Sequence, residues 1–414
     1  MKRNSEFLIL SPSRRYFLKN LMLGAFSTFA SFEETLLKVE KEENRLKKGQ
    51  MFYRRLGRTG LFISEISLGG SPLPDWDLFL RIIERGVNYI DTSSSYNNGN
   101  SERQIGRLFK EVGRDKVYVG TKFHLSGRWT GESIIKSVEG SLERLKTDYI
   151  DVLLIHGAEN EEDLTDERVL KAFERLKKEG KYRFRGLSCH SNHHRVLRRA
   201  VDCGYYDMIQ LGYNVFDMEE GKRGVEVYED YLEESGIKGL LNFSRAKDVG
   251  IIAMKTLKIG GKRQNLEKYK TGSISLFQAM LKWVLENRNI TSVVTEMLTY
   301  EQMAEDLAAS GTSLTNEERR NLFRHVAENS SDYCHLCGLC QRICPSQVKT
   351  TAILRSLAYH ENYGKIHLAK ETYSQLKPEE TASFCQRCGK CERACPYGVS
   401  VQKKIREAQR ILIG

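Results

Sequence analysis

From residue 65 onward, short apolar runs alternate with longer amphipathic stretches. The runs are Glu65–Gly70, Val87–Asp91, Lys116–Lys122, Tyr149–His156, Phe184–Ser188, Met208–Gly212, Gly250–Lys255 and Thr291–Thr295. They are short and nearly continuous in apolar residues, as expected of parallel strands covered on both faces. The intervening segments, such as Gly131–Leu145 and Val169–Lys178, repeat their apolar residues at helical spacing. Eight such strand–helix units in about 260 residues predict an α/β fold, a (β/α)8 or TIM barrel. An open doubly wound sheet is the alternative. No G-x-G-x-x-G follows the first strand, which counts against it. Further on, Thr351–Tyr373 reads as helical, with Leu354, Leu357, Ala358 and Tyr363 on one face. The expected division is a leader over 1–30, a charged linker over 31–50, the barrel over 51–320 and a small, mainly helical ferredoxin-like domain over 321–414.

Ser13-Arg14-Arg15-Tyr16-Phe17-Leu18-Lys19 precedes an uncharged run from Asn20 to Phe32. That run is shorter than the ~20 apolar residues of a membrane span. It suits the apolar part of a signal peptide, and the paired arginines resemble a twin-arginine export signal. The expectation is a periplasmic or extracytoplasmic protein, exported already folded, with no transmembrane span in the mature chain. The net charge of +11 is only partly carried by the leader, through Lys2, Arg3, Arg14, Arg15 and Lys19 against Glu6. No basic stripe with interleaved aromatics accompanies it, so nucleic acid is not expected as a partner.

In a barrel of this kind, chemistry collects at the C-terminal ends of the strands. Asp91 ends the second strand, Tyr96 follows it, Lys122 ends the third and His156 ends the fourth. Carbonyl reduction has a use for each. A phenol donates a proton to the carbonyl oxygen, and an ammonium lowers its pKa. A carboxylate orients the ammonium, and an imidazole hydrogen-bonds the oxygen. Taken singly, each has an ordinary structural role open to it: a cap, surface packing or a core histidine. Together with Tyr53-Arg-Arg-Leu-Gly-Arg-Thr-Gly60 and Asp151-Val-Leu-Leu-Ile-His156, these residues resemble the aldo/keto reductase family from about Met51 to Ala309. The resemblance implies Tyr96 as general acid/base, Lys122 tuning it, Asp91 pairing with Lys122 and His156 orienting the substrate oxygen. It also implies NADP(H) or NAD(H), with Ser188, Gln210 and Tyr213 near the nicotinamide, and Met254, Lys255 and Leu257 on the seventh strand and phosphate loop, Met254 standing where many members have a stacking aromatic. Glu296 departs from the family pattern, because a carboxylate there would repel a pyrophosphate. Glu305-Asp306 stands where the family has an acidic residue facing the adenine. His124 and Trp129 are candidate substrate contacts, with loop packing as the other reading.

Eight of the ten cysteines lie at or beyond residue 334. Cys334-x-x-Cys337-x-x-Cys340-x-x-x-Cys344-Pro is repeated as Cys385-x-x-Cys388-x-x-Cys391-x-x-x-Cys395-Pro, the ferredoxin spacing for 4Fe–4S clusters. In two-cluster ferredoxins the fourth cysteine of each run serves the other cluster. The expected quartets are therefore Cys334, Cys337, Cys340 and Cys395, and Cys385, Cys388, Cys391 and Cys344. Zinc would leave thiols over, and disulfides would not explain the repeated spacing.

Two functions fit. The first is an exported oxidoreductase that interconverts a carbonyl and an alcohol on a small molecule, with its two clusters exchanging electrons with a redox partner protein. The second is an electron-transfer subunit whose barrel only docks a partner or binds a small molecule.

Overall fold

The computed structural model describes residues 44–125, 129–158, 160–190, 193–218, 236–258 and 266–413. The expected leader and residues 31–43 of the charged linker lie outside them.

Eight parallel strands close into a barrel in sequence order. They are β1 (Ile66–Gly69), β2 (Tyr89–Asp91), β3 (Tyr118–His124), β4 (Ile150–His156), β5 (Tyr182–Cys189), β6 (Met208–Gly212), β7 (Gly250–Met254) and β8 (Ser292–Thr295). Each is followed by a helix: α1 (Trp76–Glu84), α2 (Asn100–Val112), α3 (Gly131–Leu145), α4 (Glu167–Lys178), α5 (His193–Asp202), α6 (Ile237–Ala246), α7 (Leu276–Glu286) and α8 (Tyr300–Leu307). The strands are apolar throughout because one face fills the barrel and the other meets the helices. Thus Val152 and Leu154 pack inside with Met208 and Ile252, while Leu153 and Ile155 join the outer core beneath the helices. The expected strands are all present, with ends differing by up to a few residues.

An antiparallel pair, Met51–Arg55 with Phe62–Ser64, precedes β1. Arg54 fastens it. Its guanidinium donates to Glu65 at 2.7 Å and to the carbonyls of Leu285 and Ile290, both at 2.7 Å. The second Glu65 oxygen accepts from Ser310 Oγ and the Gly311 amide. Breaking such a buried network by removing one partner costs about 3–5 kcal/mol.

After the barrel, α9 (Asn316–Asn329) begins in a capping box between Thr315 and Glu318. Glu318 also receives Lys282 from α7 at 2.6 Å, with both side chains almost fully buried. Tyr333 then stacks on Phe216 at 4.5 Å, and its hydroxyl accepts from Asn214. These contacts hold the start of the C-terminal region against the barrel. Helix α9 runs across residues 320 and 321. The remaining helices are α10 (Leu339–Arg342), α11 (Thr350–Glu361), α12 (Ile366–Ser374), α13 (Lys390–Arg393) and α14 (Val401–Leu412). They enclose a small core in which Ile353, Leu354, Leu357, Ile405 and Ala408 pack beside the cysteines. No helix among the described residues is long and apolar enough to cross a membrane.

Candidate active site and cluster-binding sites

Asp91, Tyr96, Lys122 and His156 come together at the C-terminal mouth of the barrel. Lys122 Nζ lies 2.7 Å from both carboxylate oxygens of Asp91 and donates to the Thr92 carbonyl at 2.7 Å. The pair is nearly sealed from solvent, Lys122 being 2% exposed and Asp91 5%. Burial pulls the lysine pKa down and pushes the carboxyl up, and their mutual attraction opposes both shifts. The Tyr96 ring centre lies 5.1 Å from Lys122 Nζ, and the ring meets His156 edge to face at 5.6 Å. His156 Nδ1 is 3.0 Å from Ser93 Oγ. The ring of His124 lies against His156 at 4.1 Å, and its Nε2 is 3.1 Å from Ser95 Oγ. Burial lowers the His156 pKa well below its usual range, and His124, Lys122, Arg355 and Lys255 add to the effect, so the imidazole is neutral.

The sequence suggests that Lys122 draws the Tyr96 pKa down. In the structure the Tyr96 pKa is raised well above the ordinary phenol value, first by burial and then by Asp91, Tyr359 and Glu296. Tyr96 therefore enters the site as a neutral proton donor.

The expected nicotinamide contacts are more scattered. Gln210 is 1% exposed, and neither polar atom of its amide has a well-formed hydrogen bond, although the group lies close enough to favour the Asp91 carboxylate. A buried amide in this state suits a polar ligand group such as a carboxamide. Ser188 is less available, because its hydroxyl accepts from the Gly157 amide at 2.9 Å and lies 3.4 Å from the Ile155 carbonyl. Tyr213 rests on Trp283 at 5.2 Å, and its hydroxyl accepts from Asn287. Met254, at the end of β7, is half-buried, and Leu257 packs between two apolar clusters. Lys255 sits in the left-handed region at φ 56°, a conformation uncommon for a residue with a side chain. Its Nζ lies 3.3 Å from His190 Nδ1. Its pKa falls to about 7, through burial and the nearby Arg355. Asp306 is 2% exposed, and burial raises its pKa to about 7 beside Thr295. Trp129 is covered by the Arg168 guanidinium at 4.2 Å, the packing alternative.

The largest departure from expectation is at Glu296. Instead of facing a pyrophosphate alone, it is paired at 2.5 Å with Lys365, which follows α11 and also donates to the Ser71 carbonyl at 3.2 Å. Tyr359 of α11 lies 5.4 Å from Lys255 Nζ. Tyr359 and Glu296 both act electrostatically on Tyr96 and Tyr363, and Arg355 acts on His156 and Lys255. The C-terminal region thus contributes to the barrel mouth. Sequence reasoning missed Ser93, Lys258, Arg355, Tyr359 and Lys365 as site residues. Arg355 and Tyr359 stand four apart, hence on one helix face, but nothing in that spacing tells what the face covers.

The cysteines are free thiols that form two groups. Cys344, Cys385, Cys388 and Cys391 line one cavity, the crossed quartet expected for one cluster. Cys395 lies close to Cys334, Cys337 and Cys340, the other quartet. Among the described residues no three ligating side chains converge as a single metal ion would require. Thiols spread around a cavity suit a larger inorganic core. The two runs also share a backbone. Leu336 and Arg387 have φ 55°, Gly338 and Gly389 have φ 83° and 74°, and a four-residue helix follows each glycine. This curl turns backbone amides toward sulfur, as at Cys334 and Cys337 and from Val399 to Cys395 at 3.4 Å. Such bonds favour thiolate ligands. Burial otherwise holds the Cys334, Cys337 and Cys340 thiols at about 12, a cost that cationic iron would offset. The first quartet is the one next to the barrel. A cavity is lined by Cys334 together with Lys258, from the segment after β7.

Comparison with known proteins agrees with this architecture. The aldo/keto reductase family model matches residues 77–273, and a 4Fe–4S dicluster domain model matches 330–399. An uncharacterized oxidoreductase of Bacillus subtilis is 29% identical over 309 residues, covering 67% of this chain and 97% of that protein. An NADH-specific methylglyoxal reductase of Escherichia coli is 27% identical, covering 66% and 97%. The structure of an aldo-keto reductase from Bacillus halodurans superposes with a TM-score of 0.50 at 24% identity, covering 66% of this chain and 95% of that one. The protein is an oxidoreductase of the aldo/keto reductase kind. Its chain joins an aldo/keto reductase domain to a 4Fe–4S dicluster domain.

Proposed function

We propose that this protein is an exported carbonyl reductase whose active site is electronically linked to two 4Fe–4S clusters. The observation that carries this reading is the covered constellation of Tyr96, Lys122, Asp91 and His156, with the cluster-binding region packed over the same mouth.

Neutral His156 orients the carbonyl oxygen of a small substrate. When Ser93 donates to Nδ1, the imidazole proton is on Nε2 and available to that oxygen. Tyr96 gives its proton to the same oxygen as charge develops there. Lys122, fixed by Asp91 and Thr92, keeps the phenol in place and supports the phenolate left behind. The bound nicotinamide supplies the hydride to the carbonyl carbon. Gln210 suits its carboxamide, and Lys255 and Lys258 suit its phosphates. The clusters supply single electrons for exchange with a redox partner protein. Cys334 beside Lys258 gives the first quartet the shorter route to the barrel.

Export through the twin-arginine route places this chemistry in the periplasm or another extracytoplasmic space. Nicotinamide is not renewed there; a nucleotide retained beneath the cluster-binding region would be re-reduced in place by one proton and two electrons, delivered singly through the clusters. Purified protein that neither contains nor binds a nicotinamide nucleotide would refute this part of the reading.

The Glu296–Lys365 pair favours a second reading, because it puts a latch where a pyrophosphate would lie. In that reading the barrel is a docking or small-molecule-binding scaffold and only the clusters transfer electrons. The variant Tyr96→Phe separates the two. Carbonyl reduction collapses with intact clusters if the barrel is catalytic, and electron transfer to a dye acceptor is unchanged if it is a scaffold.

A further inference from the structure

The side chains facing Tyr96 from outside the barrel come from α11 and the turn after it. Arg355 and Tyr359 lie one helical turn apart, and Tyr359 packs within 5.4 Å of Lys255 Nζ. Lys365 fixes this segment to the barrel at Glu296 and at the Ser71 carbonyl. Arg355 Nε is buried without a hydrogen-bond partner, and Arg355 makes no ion pair among the described residues. Arg355 as a whole is half-buried, and this covered Nε–H is a donor left open for an acceptor. The nearby carboxylates are already taken, Asp91 by Lys122 and Glu296 by Lys365. Arg355 remains beside Lys255, which burial holds near neutrality with a pKa of about 7.

We propose that Arg355, supplied by the cluster-binding region, receives a carboxylate group on the substrate, so that the preferred substrate is a 2-oxo acid or another carbonyl compound bearing a nearby carboxylate. This deepens the carbonyl-reductase reading and rests on it. Arg355 is close enough to act on both His156 and Lys255. A planar guanidinium matches a carboxylate in two-point geometry, which a neutral ester lacks. Because the guanidinium comes from a region outside the reductase domain, specificity depends on the two regions staying docked.

The test uses anaerobically purified holoprotein with phenylglyoxylate and its methyl ester, a pair differing in the charge. Binding of each is measured by calorimetry and reduction of each by steady-state kinetics, in the wild type, Arg355→Gln and Arg355→Lys, with the cluster absorbance confirming fold. The expected result is tighter binding and higher kcat/KM for the acid by about tenfold or more. Arg355→Gln should abolish that preference, raising the KM of the acid about tenfold more than that of the ester, and Arg355→Lys should keep most of it. Equal handling of acid and ester by the wild type overturns the proposal, even if both are reduced and the reductase reading stands. A preference that survives Arg355→Gln also overturns it. Titration with NADPH distinguishes the other anion source: loss of nucleotide affinity in Arg355→Gln, with acid binding intact, assigns the guanidinium to a nucleotide phosphate instead and ends the proposal. Acid bound through Arg355, with no carbonyl compound ever reduced, keeps the site and sinks the reductase reading.

Discussion

The barrel and the cluster-binding region are held together by different physics. The barrel buries a large continuous core, in which Phe123, Phe173, Leu187 and Tyr206 are all within 1% of full burial. Its strands are joined by parallel ladders around a closed ring, so no edge is left unpaired. The C-terminal region has only a small cluster around Ile353, Leu357 and Ala408, with cysteines as part of its wall. Apolar burial specifies the first, whereas the second depends on what its thiols hold.

The sharpest way to break this comparison is to remove iron. Oxidative loss of the clusters followed by chelation should make the region beyond α9 sensitive to protease, while the barrel keeps a cooperative thermal transition. Limited proteolysis with mass spectrometry reads this directly. The crossed quartets sharpen it further: Cys344→Ala, in the first run, should diminish the cluster held mainly by the second run, as counted by iron and sulfide content.

Next in size is Tyr96→Phe, which should lower kcat by about 10²- to 10⁴-fold and leave the cluster spectrum unchanged. Within the barrel framework, Glu65→Ala leaves the Arg54 charge without its carboxylate and should cost about 3–5 kcal/mol, read by denaturant unfolding of the barrel transition. It should leave the cluster content of folded protein as it was.

A pH profile is a gentler probe. Tyr96 faces Asp91, Lys122, His156, Tyr359 and Glu296, and its pKa is raised well above 10.0. The protonated form then persists across neutral and mildly alkaline pH. Carbonyl reduction should show no loss from Tyr96 ionisation below pH 10, whereas alcohol oxidation, which needs the proton to leave, should climb with pH. The smallest effect belongs to the latch. Glu296 and Lys365 have side chains 39% and 26% exposed, so solvent screens their attraction. Glu296→Gln should change stability by about 0–1 kcal/mol, measured by thermal unfolding.

Strand positions and the tetrad were legible in the sequence because both follow local rules. Continuous apolar runs bounded by glycine and polar residues mark buried strands, and chemistry collects where those runs end. The cysteine runs were legible because cluster geometry dictates ligand spacing. What the sequence hid depends on docking. Glu296 reads as a repulsive anomaly until Lys365 stands beside it, some seventy residues further on. Arg355 and Tyr359 read as an ordinary helix face until that face meets the barrel. The upward push on the Tyr96 pKa was hidden for a related reason: the pairing of Lys122 is visible in the sequence, but the degree of burial is not. Ser188 and Leu257, assigned to a cofactor from the family pattern, turn out to be largely occupied in bracing β4 and filling the space between two apolar clusters.

The central claim is that barrel and clusters form one redox system. It is tested most directly by titrating the anaerobic, oxidised holoprotein with NADPH and with NADH while following the visible iron–sulfur absorbance. Bleaching of that band by either nucleotide is the predicted result. Clusters that stay oxidised with both nucleotides, in protein that still reduces a carbonyl substrate, would contradict it.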